Sequence, residues 1–428
     1  MSDRELPGAP DLAYRTGELW LEDVPVSRIA EAVGTPFYLY SSAYLTRRYR
    51  DFTTAFSGQK AFLYFAVKAN SNQAILRQLA RLGAGADIVS EGELHRARAA
   101  GIPAERIVFS GIGKTERELE AALAAGVHQI NAESEPELEL LSAVARRMGR
   151  TAPVAIRVNP DVDALSHAKI STGGSENKFG IDLAHVARAV RRATELPGLA
   201  PVGLAVHIGS QITSLAPFAT AFGRVVGLLK SLRAEGLPLG RLDLGGGLGI
   251  RYRDETPPPI ADYAAMVARA TAGLDLDLAF EQGRWIVGNA GILVSRVLYR
   301  KDGATRRFVI VDAAMNDLIR PALYDAWHEI VPVAAPVAGA PRAEADVVGP
   351  VCETGDIFAT ARMLPPLSAG ALVAFLSAGA YGAIMGSNYN SRLSIPEVLV
   401  RGAEFAIIRP RPTYDDMLAR ERLPPWLQ

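Results

Sequence analysis

The sequence predicts an α/β protein, with a (β/α)8 TIM barrel followed by an all-β C-terminal domain. From about residue 60, short apolar runs alternate with helical patterns, and eight such runs occur. Strand–helix alternation implies parallel pairing, and eight units over about 220 residues match the size of this fold. After about residue 285 the runs become β-branched and are separated by Gly and Pro, which is typical of an all-β domain.

The eight apolar runs are the predicted strands of the barrel. They cover residues 62–67, 86–90, 107–111, 129–133, 154–159, 203–209, 241–246 and 276–283. Amphipathic stretches separate them, and Asn70 or Ser71 is the expected N-cap of the first helix. A doubly wound open sheet is the alternative. That fold places its Gly-rich turn after the first strand, whereas here the triple glycine follows the seventh.

The chain of 428 residues is longer than one core usually supports, so we expect two domains. Residues 36–285 are assigned to the barrel and residues 286–428 to the β domain. The stretch GILVSRVLYRKDGATRRFVIVDAAM predicts two strands around a Lys-Asp-Gly turn. Residues 1–35 form an N-terminal segment that we expect to contribute to the β domain.

The amino-acid composition limits the kinds of binding partner that we expect for this protein. Lys+Arg (46) and Asp+Glu (46) cancel, so no basic field attracts nucleic acid or an anionic membrane. No signal peptide is evident, and no stretch approaches the roughly 20 uninterrupted apolar residues of a membrane span. The single cysteine, Cys352, fits a reducing compartment, and the six histidines show no metal-ligand spacing. We therefore expect a cytoplasmic protein with no metal and no membrane or nucleic-acid partner.

Polar residues stand where four of the predicted strands end. Lys68 ends the first, His207 ends the sixth with Ser210 just after it, Gly245–Gly249 follow the seventh, and Glu281–Arg284 end the eighth. Active sites of such barrels lie at the C-terminal ends of the strands. These four groups are therefore predicted to converge on one face. Alternation along the first strand also puts Lys68 on the same side as Tyr64 and Ala66, which we expect to be the barrel interior.

A lysine, a glycine-rich turn and an acid at the eighth strand together predict pyridoxal phosphate. The Lys68 amine would bond to the aldehyde, glycine backbone N–H groups would cradle the phosphate, and Glu281 would hold the proton on the pyridine nitrogen. His207 would lie flat on the ring. Each residue has a simpler alternative: a solvated lysine, glycines needed for positive φ, or a core histidine. Asp87, at the end of the second strand, either orients Lys68 or caps the following helix.

Several motifs together resemble one enzyme family. YFAVKAN, ENKFGI, HIGSQIT, LDLGGGLGIRY, EQGR, VDAAMNDLIRPALYDAWH, GPVCETGD and GAYGAIMGSNYNSR are similar to the diaminopimelate decarboxylases, in the alanine-racemase-like group of pyridoxal-phosphate enzymes. The similarity runs from about residue 18 to the C-terminus. CETGD with NDLIRPALY is the most specific part, because related decarboxylases share the lysine, histidine and glycines but differ there.

The resemblance implies roles for individual residues. Lys68 would attach the cofactor, His207 would stack on its ring and Glu281 would pair with the pyridinium. The residues implied at the phosphate are Ser210, Gly245, Gly246, Gly247, Glu281, Gln282, Gly283 and Arg284. The residues implied at the substrate are Arg284, Arg320, Tyr324, Glu353 and Tyr381, of which Tyr381 would also touch the cofactor. The family usually has proline where Gln282 stands, which implies a slightly more mobile phosphate loop.

The resemblance also implies a reaction and an assembly. The reaction is decarboxylation of meso-2,6-diaminopimelate to L-lysine and CO2, the last step of lysine biosynthesis. An arginine fork, Arg320 or Arg284, would bind the distal carboxylate. Cys352 and Glu353 would reach into the neighbouring subunit of a homodimer with shared active sites, and Cys352 would protonate the reacting carbon.

Other interpretations of the motifs remain open. They are decarboxylation of D-lysine, D-ornithine or another basic amino acid, and a cofactor-binding homologue that serves as a regulator without catalysis. A racemase is disfavoured because no tyrosine is placed as its second base. Residues 160–180 are expected to form an active-site loop.

Overall fold

The structure, a computed structural model, describes residue 6 and residues 11–164, 172–173 and 177–427. It divides into two compact units, each described here by itself. The barrel unit comprises Leu45–Ile250 and Glu255–Ile286. The sheet unit comprises the described residues up to Tyr44, then Arg251–Asp254, and the described residues from Val287 onward.

The first elements of the chain belong to the sheet unit. Strands β1 (Leu12–Arg15), β2 (Glu18–Leu21) and β3 (Val24–Pro25) form a small antiparallel sheet. Helix α1 (Val26–Val33) and strand β4 (Phe37–Ser41) follow, and helix α2 (Ser42–Ala55) belongs to the barrel unit from Leu45 onward. All five residues of β4 are buried. The predicted barrel boundary at residue 36 thus falls before a strand that pairs within the sheet unit.

Eight parallel strands close into the barrel, as predicted. Their neighbours follow chain order, and the last strand pairs with the first, which excludes an open sheet. A two-residue strand, β10, adds to the edge of β9. The eight barrel strands are β5 (Ala61–Ala66), β6 (Gly85–Ile88), β7 (Ile107–Phe109), β8 (Gln129–Ala132), β9 (Ala152–Asn159), β11 (Leu199–Val206), β12 (Arg241–Asp243) and β13 (Asp277–Phe280), and the added strand β10 is Ile181–Asp182.

Helices alternate with these strands. They are α3 (Gln73–Leu82), α4 (Glu91–Ala99), α5 (Glu116–Ala125), α6 (Glu135–Met148), α7 (Leu183–Glu195), α8 (Leu215–Ala234), α9 (Ile260–Ala270) and α10 (Arg284–Val287). The N-cap of α3 is Asn72, whose side chain accepts from the N–H of Ala74, rather than Asn70 or Ser71. Asn70 instead accepts a hydrogen bond from the N–H of Asn72 at 3.0 Å.

Helix α8 is the one helix in the described ranges whose length and apolar composition would suffice to cross a membrane, with a mean hydropathy of 1.2. Its buried residues pack against β11 and α9 of the barrel unit. Core helices of barrels pass the same test of length and composition.

Beyond the barrel, the chain forms the main sheet of the sheet unit. Its central path runs β18-β17-β15-β14-β4-β20-β21, with β19 pairing β14 and β16 pairing β19. The strands are β14 (Gly291–Asp302), β15 (Arg307–Val311), β16 (Ile330–Pro332), β17 (Ala343–Val348), β18 (Ile357–Leu364), β19 (Leu372–Phe375), β20 (Glu397–Arg401) and β21 (Glu404–Arg409). Strands β14 and β15 form the predicted hairpin. Short helices α11 (Arg320–Tyr324) and α12 (Tyr414–Leu418) accompany the sheet.

Each unit has its own core. In the barrel unit, aromatic rings with centroids 4.5 to 6.2 Å apart pack together. They belong to Phe52, Phe56, Phe218, Phe222, Tyr263 and Phe280. In the sheet unit, buried residues of the N-terminal strands pack with residues of β14, β19 and β20 in one cluster. Residues 1–35 therefore contribute to this core through their described part.

Candidate active site

Lys68 lies beside a buried carboxylate at the carboxyl end of the barrel. Strand β5 ends at Ala66, and Lys68 sits in the 3-10 turn Val67–Ala69, so strand alternation does not set its direction as predicted. Its Nζ hydrogen bonds to Oδ2 of Asp87 on β6. The Lys68 side chain is 37% exposed, whereas that of Asp87 is fully buried. Ser90, not Asp87, caps α4, so the structure favours the orienting role for Asp87.

The pKa of the Asp87 carboxyl is raised above its ordinary value. Burial and the charge of Glu281 raise its pKa to about 6, and Lys68 opposes this rise. Nearby, burial raises the pKa of Glu93 to about 7. A cation close to Asp87 therefore stabilises its ionised form, and Lys68 supplies that charge.

Glu281 is the centre of a buried polar network. Its Oε1 accepts from Ser110 Oγ at 2.6 Å and from Asn131 Nδ2 at 3.3 Å. The same Asn131 amide donates to Oδ2 of Asp243 at 3.0 Å. Burial first, and the charge of Asp243 second, raise the pKa of Glu281 to about 8. The pKa of Asp243 is likewise raised by burial, to about 6.

Sequence reasoning missed Ser110, Asn131 and Asp243 as site residues. They stand at the ends of β7, β8 and β12, the same level of the barrel as Lys68 and Glu281. Each is a polar side chain in or just after an otherwise apolar strand. That pattern is the signal that would have identified them.

The glycines after β12 are required by both packing and conformation. Gly245 and Gly247 have φ of +63° and +107°, in the region that favours glycine. A Cβ on Gly246 would lie 2.2 Å from the carbonyl oxygen of Glu281. The turn is thus pressed against the EQGR segment. In the described chain, the next helix after these glycines is α9, which begins only at Ile260, so a helix N-terminus does not directly follow the turn.

His207 follows β11 and contacts the glycine turn. Its Nδ1 accepts from the N–H of Gly246 at 3.2 Å. Burial, with the cations Arg157 and Lys68, holds the pKa of His207 well below its usual range. The ring is therefore neutral near pH 7, with its proton on Nε2.

Arg284 and Ser210 form a second contact at this end of the barrel. The Nε and Nη2 atoms of Arg284 donate to Ser210 Oγ at 3.2 and 3.0 Å. Arg284 is buried although it is charged. The geometry groups Arg284 with the residues predicted at the phosphate.

Gln282 and Gly283 pack against the turn that holds Lys68. The carbonyl oxygen of Gln282 accepts from the N–H of Ala66 at 3.4 Å. A Cβ on Gly283 would lie 2.8 Å from the Cβ of Ala69. The Gln282 amide is buried, and its nitrogen and oxygen have no hydrogen-bond partner among the described residues.

The expected active-site loop at 160–180 is described in part, and residues 165–171 and 174–176 lie outside the described residues. Thr172 donates from its N–H to the carbonyl of Ile208 at 3.1 Å and from Oγ1 to the carbonyl of His207 at 3.0 Å. The described part of this segment therefore lies along the HIG motif.

In the sheet unit, Arg320 and Tyr324 lie on α11. The Arg320 guanidinium is buried, 5.3 Å from the ring centroid of Tyr252 and 6.0 Å from that of Tyr324. Its Nε donates to Nε2 of His328 at 3.3 Å. Tyr381 adopts a positive φ of 55°, which is uncommon for a residue with a side chain.

Cys352 and Glu353 lie on an exposed loop, which hydrogen bonds to Asp356 hold in place. Asp356 accepts from the N–H of Val351 at 2.8 Å and from that of Met315 at 2.7 Å, which ties the CETGD and NDLIRPALY segments together. The Cys352 thiol is exposed and lies 3.3 Å from Oδ1 of Asn390. A buried anchor thus presents the two side chains at the surface of the unit.

The barrel residues fit pyridoxal phosphate. They combine a lysine amine, a neutral histidine and a glycine turn that excludes side chains. The buried Glu281, whose raised pKa would fall beside a cationic ring nitrogen, completes the set. In the part of the chain that the structure describes, no group of three His, Cys, Asp or Glu side chains is arranged for a metal ion. The sheet unit holds Arg320, Tyr324, Cys352, Glu353 and Tyr381.

Comparison with known proteins agrees with this chemistry. Residues 42–288 match the family model described as pyridoxal-dependent decarboxylase, pyridoxal binding domain. The chain is 51% identical to the diaminopimelate decarboxylase of Pseudomonas aeruginosa, over 96% of this chain and 99% of that protein. It is 49% identical to that of Zymomonas mobilis, over 97% of this chain and 99% of that protein.

Solved structures show the same fold. The diaminopimelate decarboxylase of M. jannaschi superposes with a TM-score of 0.93 at 34% identity, over 99% of this chain and 100% of that one. The Helicobacter pylori enzyme, complexed with L-lysine, gives 0.88 at 41% identity, over 92% of this chain and 98% of that one. The chain therefore belongs to the pyridoxal-dependent decarboxylases and, within them, to the diaminopimelate decarboxylase family.

Proposed function

We propose that this enzyme decarboxylates meso-2,6-diaminopimelate to L-lysine and CO2, the last step of lysine biosynthesis. The observation that supports it best is the pairing of Lys68 with buried Asp87 beside the glycine turn, in a chain about half identical to diaminopimelate decarboxylases. Pyridoxal phosphate, when bound, would supply an aldehyde for the amine and an electron sink for the electron pair that stays on the carbon when CO2 departs.

Within the barrel unit, each residue has a distinct task. Lys68 provides the amine, and Asp87 keeps it oriented through their hydrogen bond. Glu281, held by Ser110 and Asn131, offers a carboxylate for a protonated ring nitrogen. Neutral His207 presents a flat face without adding a positive charge, which would compete with that proton.

The phosphate site is proposed at the glycine turn. Gly245, Gly246 and Gly247 leave their backbone open to close approach, because no side chain fits there. Ser210 and Arg284, already in contact with each other, complete it with a hydroxyl and a cation. The backbone of Gln282 and Gly283 closes the other side.

The substrate's distal end is assigned to the sheet unit. A carboxylate there suits the planar guanidinium of Arg320, with the Tyr324 hydroxyl beside it. Glu353 accepts from the distal ammonium, and Tyr381 contacts both substrate and cofactor. A substrate without the distal carboxylate loses this charge-assisted contact with the buried Arg320, which disfavours other basic amino acids.

Cys352 is proposed as the acid that protonates the reacting carbon, because its thiol carries a proton that it can donate. Its exposure in the single chain supports a homodimer in which Cys352 and Glu353 complete the neighbouring site. We further assign the enzyme to the cytoplasm, with no membrane or nucleic-acid partner, on its balanced charge and single cysteine.

The test is release of CO2 from meso-diaminopimelate, D-lysine and D-ornithine by the protein loaded with pyridoxal phosphate. We expect turnover of meso-diaminopimelate and a kcat/KM at least about a hundredfold lower for the other two, because neither offers a distal carboxylate to the buried Arg320. Preference for D-lysine would transfer the assignment to a basic-amino-acid decarboxylase. A bound cofactor with no CO2 from any of the three would support a non-catalytic homologue.

A further inference from the structure

We propose that His328 is a positioning residue that sets the specificity of this enzyme, because its neutral imidazole orients Arg320 without cancelling the arginine's charge. The inference rests on the proposed function, in which Arg320 binds the distal carboxylate of the substrate. Arg320 and His328 are both buried, at 6% and 1% exposure, in the sheet unit.

The hydrogen bonds of His328 determine where its proton lies. Its Nδ1 is 2.8 Å from the carbonyl oxygen of Leu376. Because a carbonyl can only accept, Nδ1 bears the proton and donates it. Nε2 is then an acceptor, and it receives the N–H of Arg320 Nε at 3.3 Å. One proton on the ring satisfies both contacts, and a second proton on Nε2 would face the guanidinium.

Neighbouring groups hold the ring in this orientation. Tyr252 meets the His328 ring edge to face, at a centroid distance of 5.6 Å and an interplanar angle of 89°. The same Tyr252 ring lies 5.3 Å from the Arg320 guanidinium carbon. The backbone carbonyl of His328 accepts from Nη1 of Arg362 at 3.1 Å. The side chains of Tyr252, His328 and Arg320 thus pack against one another.

A neutral acceptor and a carboxylate act differently on a binding arginine. Either would fix the direction of the Nε–H bond, but a carboxylate would also neutralise the cation. A substrate carboxylate would then gain little from Arg320. A histidine that donates to a carbonyl oxygen fixes the direction of this bond and adds no opposing charge of its own.

The test compares three variants of the loaded enzyme. His328→Leu removes the acceptor, His328→Glu replaces it with an anion, and His328→Gln keeps one donor and one acceptor. For meso-diaminopimelate we expect KM to rise about tenfold or more in the Leu and Glu variants, equivalent to about 1.4 kcal/mol, with kcat changed far less. The Gln variant should keep a KM within about threefold of wild type.

Two competitive ligands separate orientation from general loosening. L-lysine retains the carboxylate of the unreacted end, whereas 1,5-diaminopentane lacks it. His328→Leu and His328→Glu should weaken inhibition by L-lysine about tenfold and leave that by 1,5-diaminopentane unchanged. Equal losses for both ligands, or a wild-type KM in both variants, would overturn the proposal, and His328→Glu decides alone if His328→Leu does not fold.

Failure of the proposed function is a separate outcome. If the wild-type protein does not decarboxylate meso-diaminopimelate, binding of the two ligands can still be followed through the absorbance of the bound cofactor. Selective loss of L-lysine binding would then support the pairing of His328 with Arg320, and unchanged binding would refute it.

Discussion

The carboxyl groups of Asp243 and Glu281 lie against one amide, since Asn131 Nδ2 donates to both, at 3.0 and 3.3 Å. Two acids that arrive from different strands thus share a single donor inside the barrel. Asp243 also accepts from the N–H of Gly245 at 2.9 Å, which connects Glu281 to the glycine turn. The proposed sites for the cofactor's ring nitrogen and phosphate are joined through this network.

The network predicts how pH affects the protein without its cofactor. Glu281 has a pKa near its usual 4.5 when unfolded and about 8 when folded, so the folded state retains a proton that the unfolded state releases. The free energy of unfolding should therefore fall as pH rises from about 4.5 to about 8. Glu281→Gln should reduce that fall, as measured by urea unfolding at several pH values.

The control for this experiment is Glu31→Gln, on the exposed face of α1. It should follow the wild-type curve. If the free energy of unfolding of Glu281→Gln fell with pH as steeply as that of wild type and of Glu31→Gln, the buried proton would not belong to Glu281.

Shared active sites predict complementation between inactive variants. Lys68→Ala lacks the amine and Cys352→Ala lacks the acid, so each alone should be almost inactive. In an equal mixture after subunit exchange, half the dimers are hybrids with one intact site, which predicts about a quarter of wild-type activity. Exchange must be verified by labelling the two variants. Complete exchange without any recovery would show that each site is built from one chain.

We expect that replacing the buried amide of Gln282 with an apolar side chain stabilises the protein. Its nitrogen and oxygen lack hydrogen-bond partners in the described parts of the chain, and such groups cost about 1–3 kcal/mol each. Gln282→Met should therefore raise the free energy of unfolding of the cofactor-free protein by about 1 kcal/mol. The matched control is Gln211→Met. The Gln211 amide exchanges hydrogen bonds with Ile250 at 2.6 and 3.0 Å, so this change should destabilise. A similar loss in both variants would contradict this account of Gln282.

We expect that substitution of Gly349 lowers both the stability and the activity of the protein. A Cβ at this position would lie 2.3 Å from Oδ2 of Asp356, the residue that anchors the loop of Cys352 and Glu353. Gly349→Ala should lower the free energy of unfolding by about 1–3 kcal/mol and reduce kcat more than cofactor affinity. Gly58→Ala, where a Cβ meets nothing within 4 Å, should behave as wild type in thermal unfolding and in turnover. If Gly349→Ala kept the wild-type kcat, the contact of this segment with Asp356 would not be needed for catalysis.

The sequence by itself determined the barrel and the level of its site. Apolar runs and amphipathic stretches are local patterns, and eight alternating units favour a closed parallel barrel over an open sheet, which the pairing of the last strand with the first confirms. Because the carboxyl ends of parallel strands meet on one face, Lys68, His207 and Glu281 were predicted to lie at the same end of the barrel. The full-length resemblance supplied the family.

Only the tertiary structure decided which groups touch. It set Asp87 against Lys68, Asn131 between Asp243 and Glu281, and His328 against Arg320. It also assigned β4 to the sheet unit. These contacts join residues from separate elements, and their geometry depends on strand register and side-chain packing. No local periodicity encodes such information, because it arises only when distant segments are brought together.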